Sequence, residues 1–141
     1  MSTQSKAALL TEMMETFCAK DLDRLRTMVD DRVVYLETGT GRRVEGVDAY
    51  MALCEGWLAA FPDVGSKVTG SLDAGNQAAL EVTWTGTNSG PIAMPDGDVP
   101  ATGKAIDIQA SIWATFNGDK VAELRHYLDI MGMVQQLGLA G

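Results

Sequence analysis

A chain of 141 residues with 46% hydrophobic and 21% charged side chains is of single-domain size and apolar enough to bury roughly 70% of its unfolded surface, which excludes a disordered polymer. A formal charge of −8, with eleven Lys and Arg scattered along the sequence, excludes nucleic acid and anionic membrane as partners, because both demand clustered cations. No apolar run approaches the ~20 residues of a membrane span. The start holds no sustained apolar stretch, since Thr11, Glu12 and Glu15 interrupt it, so a cytoplasmic protein is expected.

Leu10, Met13, Met14 and Phe17 recur at helical spacing, which predicts an amphipathic helix over residues ~5–19. Asp21 is placed to cap a second helix, in which Leu22, Leu25, Met28 and Val29 continue the pattern. Val33 to Thr38 is β-branched and aromatic enough for a strand, and the Gly-rich stretch 39–43 reads as a turn. Gly39 and Gly41 lack the rest of any phosphate-loop motif. Asp48 is expected to cap a third helix whose stripe runs Tyr50, Leu53, Cys54, Trp57, Leu58 and Phe61, and Pro62 stops it.

Beyond Pro62 the period changes to two. Lys67 to Leu72 and Ala78 to Thr87 read as one hairpin. Ala105 to Phe116 and Lys120 to Leu128 form a second hairpin, joined at Asn117-Gly118, a strong turn signal. Between them, residues 88–104 carry three Pro and three Gly, a long connection of the kind that forms a lid or pocket rim. A short apolar helix, Ile130 to Leu137, closes the chain. Helices first and an antiparallel sheet afterwards indicate an α+β fold in a single domain.

Cys18 and Cys54 lie far apart on apolar helical faces and read as free buried thiols. One histidine and two scattered cysteines do not build an ordinary zinc site, so neither metal nor cofactor is expected.

A bent sheet closed by helices leaves an apolar interior, and Phe17, Tyr35, Trp57, Phe61, Trp84 and Trp113 are the aromatic side chains available to line it for a flat, apolar ligand. His126, the only histidine, shares strand parity with Ala122, Leu124 and Leu128, which places it inward. An imidazole of ordinary pKa ~6.5 is a competent base for a proton on carbon beside a carbonyl, or else a core histidine satisfied by a carbonyl. Asp129 stands where the last helix needs its N-cap; turned inward, it would orient the imidazole or serve as the base. Asp107, on the strand face shared with Gln109, Ser111 and Trp113, is a second carboxylate candidate.

The helix end Trp57-x-x-x-Phe61-Pro62-Asp63, the stretch from Trp84 to Gly90, Pro100 to Lys104, the Asn117-Gly118 hairpin and the ending Tyr127-Leu128-Asp129 with Gln136-Leu137-Gly138 together resemble the SnoaL-like polyketide cyclases, within the wider nuclear transport factor two-like superfamily. The resemblance covers nearly the whole length and implies a cone-shaped curved sheet packed with N-terminal helices. It implies cofactor-free acid/base chemistry on an apolar, carbonyl-bearing, polyketide-like substrate, and a homodimer. It places the family's catalytic Asp at His126, its partner His at Ile112, and another position that can hold His at Asn88. Two readings follow: a cyclase or isomerase with His126 as base or acid, and a non-catalytic binding or dimerisation module of the same fold. A related hydrolase or dehydratase is the remaining possibility, although Ala105 to Phe116 has no Arg, which the epoxide hydrolase pattern needs.

Overall fold

The computed structural model describes residues 4–139. Helix α1 (Lys6–Cys18) begins where the Ser5 side chain accepts from the Ala8 N–H, and it ends before Lys20, whose φ is 62°. The Asp21 carboxylate accepts from the Arg24 N–H and starts α2 (Leu22–Thr27). This helix stops short of the periodic pattern, because Val29 is recruited into a strand: β1 (Val29–Thr38) pairs Val29 with Val121. Long-range pairing here overrides the local helical spacing.

After β1 come β2 (Arg42–Glu45), α3 (Val47–Ala60), β3 (Gly65–Ala74), β4 (Gln77–Thr87), β5 (Ile92–Met94), β6 (Gly97–Val99), β7 (Ala105–Asn117), β8 (Lys120–Leu128) and α4 (Ile130–Gln136). The stretch expected as a plain turn after Thr38 is thus a hairpin whose second arm, β2, pairs Glu37 with Arg42. Gly46, with φ 91°, takes the N-cap position of α3; Asp48 lies in that helix's first turn and pairs with Arg26 at 2.8 Å.

Six strands form one sheet in the order β2-β1-β8-β7-β4-β3, and β5 pairs with β6 in a small separate hairpin. The sheet is not wholly antiparallel, since β1 runs parallel to β8. Nothing in a hairpin turn dictates that pairing; more than half of the chain intervenes and supplies the crossover that parallel strands require. The pairing sets Glu37 beside His126.

Along β7 the burial alternates strictly. Ile106, Ile108, Ala110, Ile112, Ala114 and Phe116 face inward, while Asp107, Gln109 and Trp113 face out. Residues Leu10, Met13 and Met14 of α1 and Tyr50, Leu53 and Cys54 of α3 belong to the same core as this inner face. At about 25 cal/mol per Å² of apolar surface, that burial is the main force holding helices on sheet.

Residues 88–104 are tied down at both ends by Asn88, which is fully buried. Its side-chain amide donates to the carbonyls of Ala60 and Gly90, and its Oδ1 accepts from the N–H and hydroxyl of Thr102. A Cβ at Gly90 would drive into the Ala59 carbonyl, so only glycine permits this approach. The segment is a pinned hairpin with Ile92 buried, and none of its residues is among those lining the cavity, in place of the lid or pocket rim expected. Cys18 and Cys54 are free. No described helix is long and apolar enough to cross a membrane.

Candidate functional site

The inner face of the sheet and the helices line a small apolar cavity of about 80 Å³ that opens to solvent. Met14 and Phe17 of α1, Trp57 of α3 and Phe61 at its C-cap, Trp84 of β4, Ile112 of β7 and His126 of β8 all line it. Aromatic edges and faces brace one another: Phe17 meets Trp84 edge-on at 5.9 Å, and Trp57 stacks on Phe61 at 6.1 Å.

His126 is the polar centre of this wall. Its Nε2 lies 3.1 Å from Nε1 of Trp84, and its Nδ1 lies 2.9 Å from the hydroxyl of Tyr35. An indole N–H can only donate, so Nε2 is the acceptor and the proton of the neutral ring is assigned to Nδ1. Nδ1–H donates to the Tyr35 oxygen, and the Tyr35 hydroxyl donates to Oε2 of Glu37 at 2.6 Å. A donor-only indole at one end and a carboxylate at the other give the chain of hydrogen bonds a single direction.

Glu37 has no exposed side-chain surface. Its Oε2 also accepts from the indole N–H of Trp57 at 3.1 Å, while Oε1 accepts from Thr40 at 2.7 Å and pairs with Arg42 at 3.1 Å. Such a carboxylate is tolerable in the core only because every oxygen is met and a cation balances it.

Burial pushes His126 down to about 4, and the neighbouring Glu37 charge opposes that shift without cancelling it. One side of the ring borders the cavity; protein packs round the rest. Burial, followed by the charge of Glu37, holds Tyr35 well above its ordinary value. Burial also raises Tyr50, and it raises Cys54 to about 12, so that thiol is inert. At neutral pH the imidazole therefore presents an unprotonated Nε2, at present occupied by Trp84.

Of the residues singled out in the sequence, Phe17, Tyr35, Trp57, Phe61, Trp84 and Ile112 meet His126 at the cavity. Ile112 stands directly across from His126 in the β7–β8 register and is buried. Asp129, Asp107, Trp113 and Asn88 are elsewhere. The Asp129 carboxylate caps α4, accepting from the Gly132 N–H at 2.8 Å. Asp107 lies on the outer sheet face, where its backbone clamps the Gln136 side chain of α4. Trp113 shares that face, 41% exposed beneath Arg125, because odd positions of β7 point away from the core. Asn88 spends its side chain on the loop 88–104.

Sequence reasoning missed Glu37, Thr40, Arg42 and Tyr50. Glu37 had a readable signal, since it shares parity with Val33 and Tyr35 and so falls on the inner face of β1. Its partner Arg42 was hidden by the reading of β2 as a turn. Among the described residues, no group of three or more His, Cys, Asp or Glu is gathered closely enough to hold a metal ion.

No protein of curated function matches the chain significantly. Among solved structures, AclR from Streptomyces galilaeus, provisionally named a hydroxylase, superposes with a TM-score of 0.78 at 25% identity, over 94% of this chain and 80% of its own. IdmH from Streptomyces antibioticus, provisionally named a polyketide cyclase, gives 0.79 at 22% identity, over 96% and 99%. A SnoaL-like protein from Jannaschia sp. CCS1 gives 0.81 at 17% identity, over 100% and 99%. The last two likenesses speak for the fold, a curved sheet with helices on one face. The family model of the SnoaL-like polyketide cyclases matches residues 8–137, nearly the whole length, and the chain belongs to that family.

Proposed function

We propose that the protein is a cofactor-independent cyclase or isomerase, acting by acid/base catalysis on an apolar, carbonyl-bearing small molecule of polyketide type. The observation that carries this reading is a neutral imidazole in the wall of an apolar cavity, its far nitrogen backed by Tyr35 and Glu37. Nε2 takes a proton from the carbon beside the substrate carbonyl. The positive charge that this creates on the ring is offset by Glu37 through the Tyr35 hydroxyl, and the proton later returns to carbon or to a newly formed alkoxide. The residue pair that the family resemblance calls for is not reproduced, since Ile112 stands opposite His126; the single imidazole acts as base and then as acid.

The test is exchange of the α-protons of 2-tetralone, a bicyclic ketone, in deuterated water. The wild type accelerates exchange, and His126→Gln loses ~100-fold or more, the range of general-base contributions. An unaltered rate in that variant would refute the reading.

A second reading has its own support: both ring nitrogens of His126 already have protein partners, as in a satisfied binding wall without catalysis. On that reading His126→Gln still binds 2-tetralone, and neither protein exchanges its protons. A cytoplasmic homodimer belongs to the same proposal. Trp113 and Tyr127, 41% and 43% exposed on the sheet's outer face, supply apolar surface for the pairing, and light scattering reads the mass.

A further inference from the structure

Trp84 is both a wall of the cavity and the hydrogen-bond partner of His126. Among the described residues its indole N–H is the one neutral donor that points at the basic nitrogen, 3.1 Å from Nε2. Both groups line the cavity. A base that removes a proton from carbon leaves negative charge on the adjacent carbonyl oxygen, and that oxygen needs a donor next to the base. In the structure the donor and the base satisfy each other, which leaves neither of them an unmet buried group.

Resting on the reading of His126 as base, we propose that Trp84 is the catalytic donor to the substrate oxygen: a ligand with a carbonyl next to an acidic C–H inserts between the two rings, taking the Trp84 N–H on its oxygen and presenting its C–H to Nε2. The C–H bond breaks, its electrons form the enolate C=C, the oxygen becomes the charged acceptor of the indole N–H, and the proton forms an N–H bond at Nε2. The cavity gains one imidazolium and one enolate, so its net charge is unchanged. The proton then passes from Nε2 to another carbon, or to the oxygen of a second carbonyl that the enolate carbon has attacked. No oxidant or reductant enters.

The arrangement also selects the ligand. The other groups around the cavity that titrate or carry charge are Tyr35 and Glu37 of β1 and Tyr50 and Cys54 of α3, while Arg42 pairs with Glu37 at 3.1 Å and is not among the cavity-lining residues. Among the described residues no Lys or Arg lines the cavity, which disfavours a carboxylate or phosphate there. The geometry fits a neutral ketone whose oxygen and acidic carbon are neighbours.

The variant to make is Trp84→Phe, which keeps an aromatic ring and removes the N–H. Two readouts are taken with 2-tetralone: α-proton exchange, and the infrared carbonyl stretch of the bound ketone, which falls when its oxygen accepts a hydrogen bond. The expectation is a loss of ~100-fold in exchange, as for removal of one oxyanion donor, together with return of the stretch towards its value in apolar solvent. Wild-type exchange with an unshifted stretch in Trp84→Phe would overturn the proposal. If the variant does not fold, the indole ¹H–¹⁵N resonance of Trp84 in the wild type decides: it must move on adding 2-tetralone by more than those of Trp57 and Trp113, and an unmoved resonance overturns the proposal. An inactive His126→Gln beside a fully active Trp84→Phe defeats the donor alone. A fully active His126→Gln defeats the base on which it rests.

Discussion

The Tyr35 hydroxyl stands 2.9 Å from Nδ1 of His126, joining residues 91 positions apart in sequence. The parallel β1–β8 pairing makes this contact, and the same pairing brings Glu37 level with the imidazole. Phenol and carboxylate together hold the Nδ1 side of the ring, leaving Nε2 for the cavity.

Replacing Tyr35 by Phe therefore removes the oxygen between Nδ1 and Glu37 without changing the ring that packs on Tyr50 at 5.7 Å. Two buried polar atoms lose a partner, which costs ~1–3 kcal/mol. Denaturant unfolding should read that loss, and exchange of 2-tetralone should slow, because charge arising on the imidazole is no longer relayed to Glu37. A variant as stable and as fast as the wild type would show the hydroxyl to be idle.

Glu37→Gln tests the buried ion pair. Removing one member of such a pair leaves a stranded charge, at ~3–5 kcal/mol. The Arg42 side chain keeps 18% exposure, so the lower end of that range is expected. Removing the cation as well, in Glu37→Gln/Arg42→Met, should restore part of the loss in a double-mutant cycle. Strict additivity would mean that the two side chains do not act as a pair.

Stability should fall on mild acidification. In the unfolded chain His126 takes up a proton near pH 6.5, whereas in the folded protein burial delays this until about 4. Between these values the unfolded state binds more protons, so stability drops as pH falls through that window and levels off below it. At 1.36 kcal/mol per pH unit, the total is on the order of 3 kcal/mol. His126→Gln should be less sensitive to pH between 7 and 5 in denaturant titrations. Equal slopes for the two proteins would place the imidazole in contact with water.

Much of this arrangement was legible in the sequence, for reasons that can be named. Ile112 was marked by the family resemblance. The alternation along β8 placed His126 on the inner face, and the helical stripes of α1 and α3 marked Phe17, Trp57 and Phe61 as walls. Both are one-dimensional patterns read directly from spacing. Partners fixed by long-range pairing were not legible. The parallel junction of β1 with β8 has no turn to announce it, so the meeting of Glu37 with His126 left no local trace. The β1–β2 hairpin hid Arg42 because Gly39 to Arg43 has the composition of a turn. Trp113 was taken for a wall on its residue type, although its parity with Asp107 points outward.

That outer face yields a further test. Asp107→Asn and Trp113→Ala alter side chains remote from the cavity, so α-proton exchange should stay at the wild-type rate. For Asp107→Asn stability should shift by no more than ~0.5 kcal/mol, as is usual for exposed sites. A loss of exchange in Asp107→Asn would mean that a carboxylate outside the cavity takes part in the chemistry.

In the proposed function His126 is a neutral base whose Nδ1 carries the proton and whose Nε2 meets the ligand. With one histidine in the chain, the ring ¹⁵N resonances of labelled protein at pH 7 report this without overlap. A neutral base of this kind shows a protonated Nδ1 and an unprotonated Nε2, the latter moving when 2-tetralone is added. A proton on Nε2, or a pair of resonances indifferent to the ketone, would contradict it.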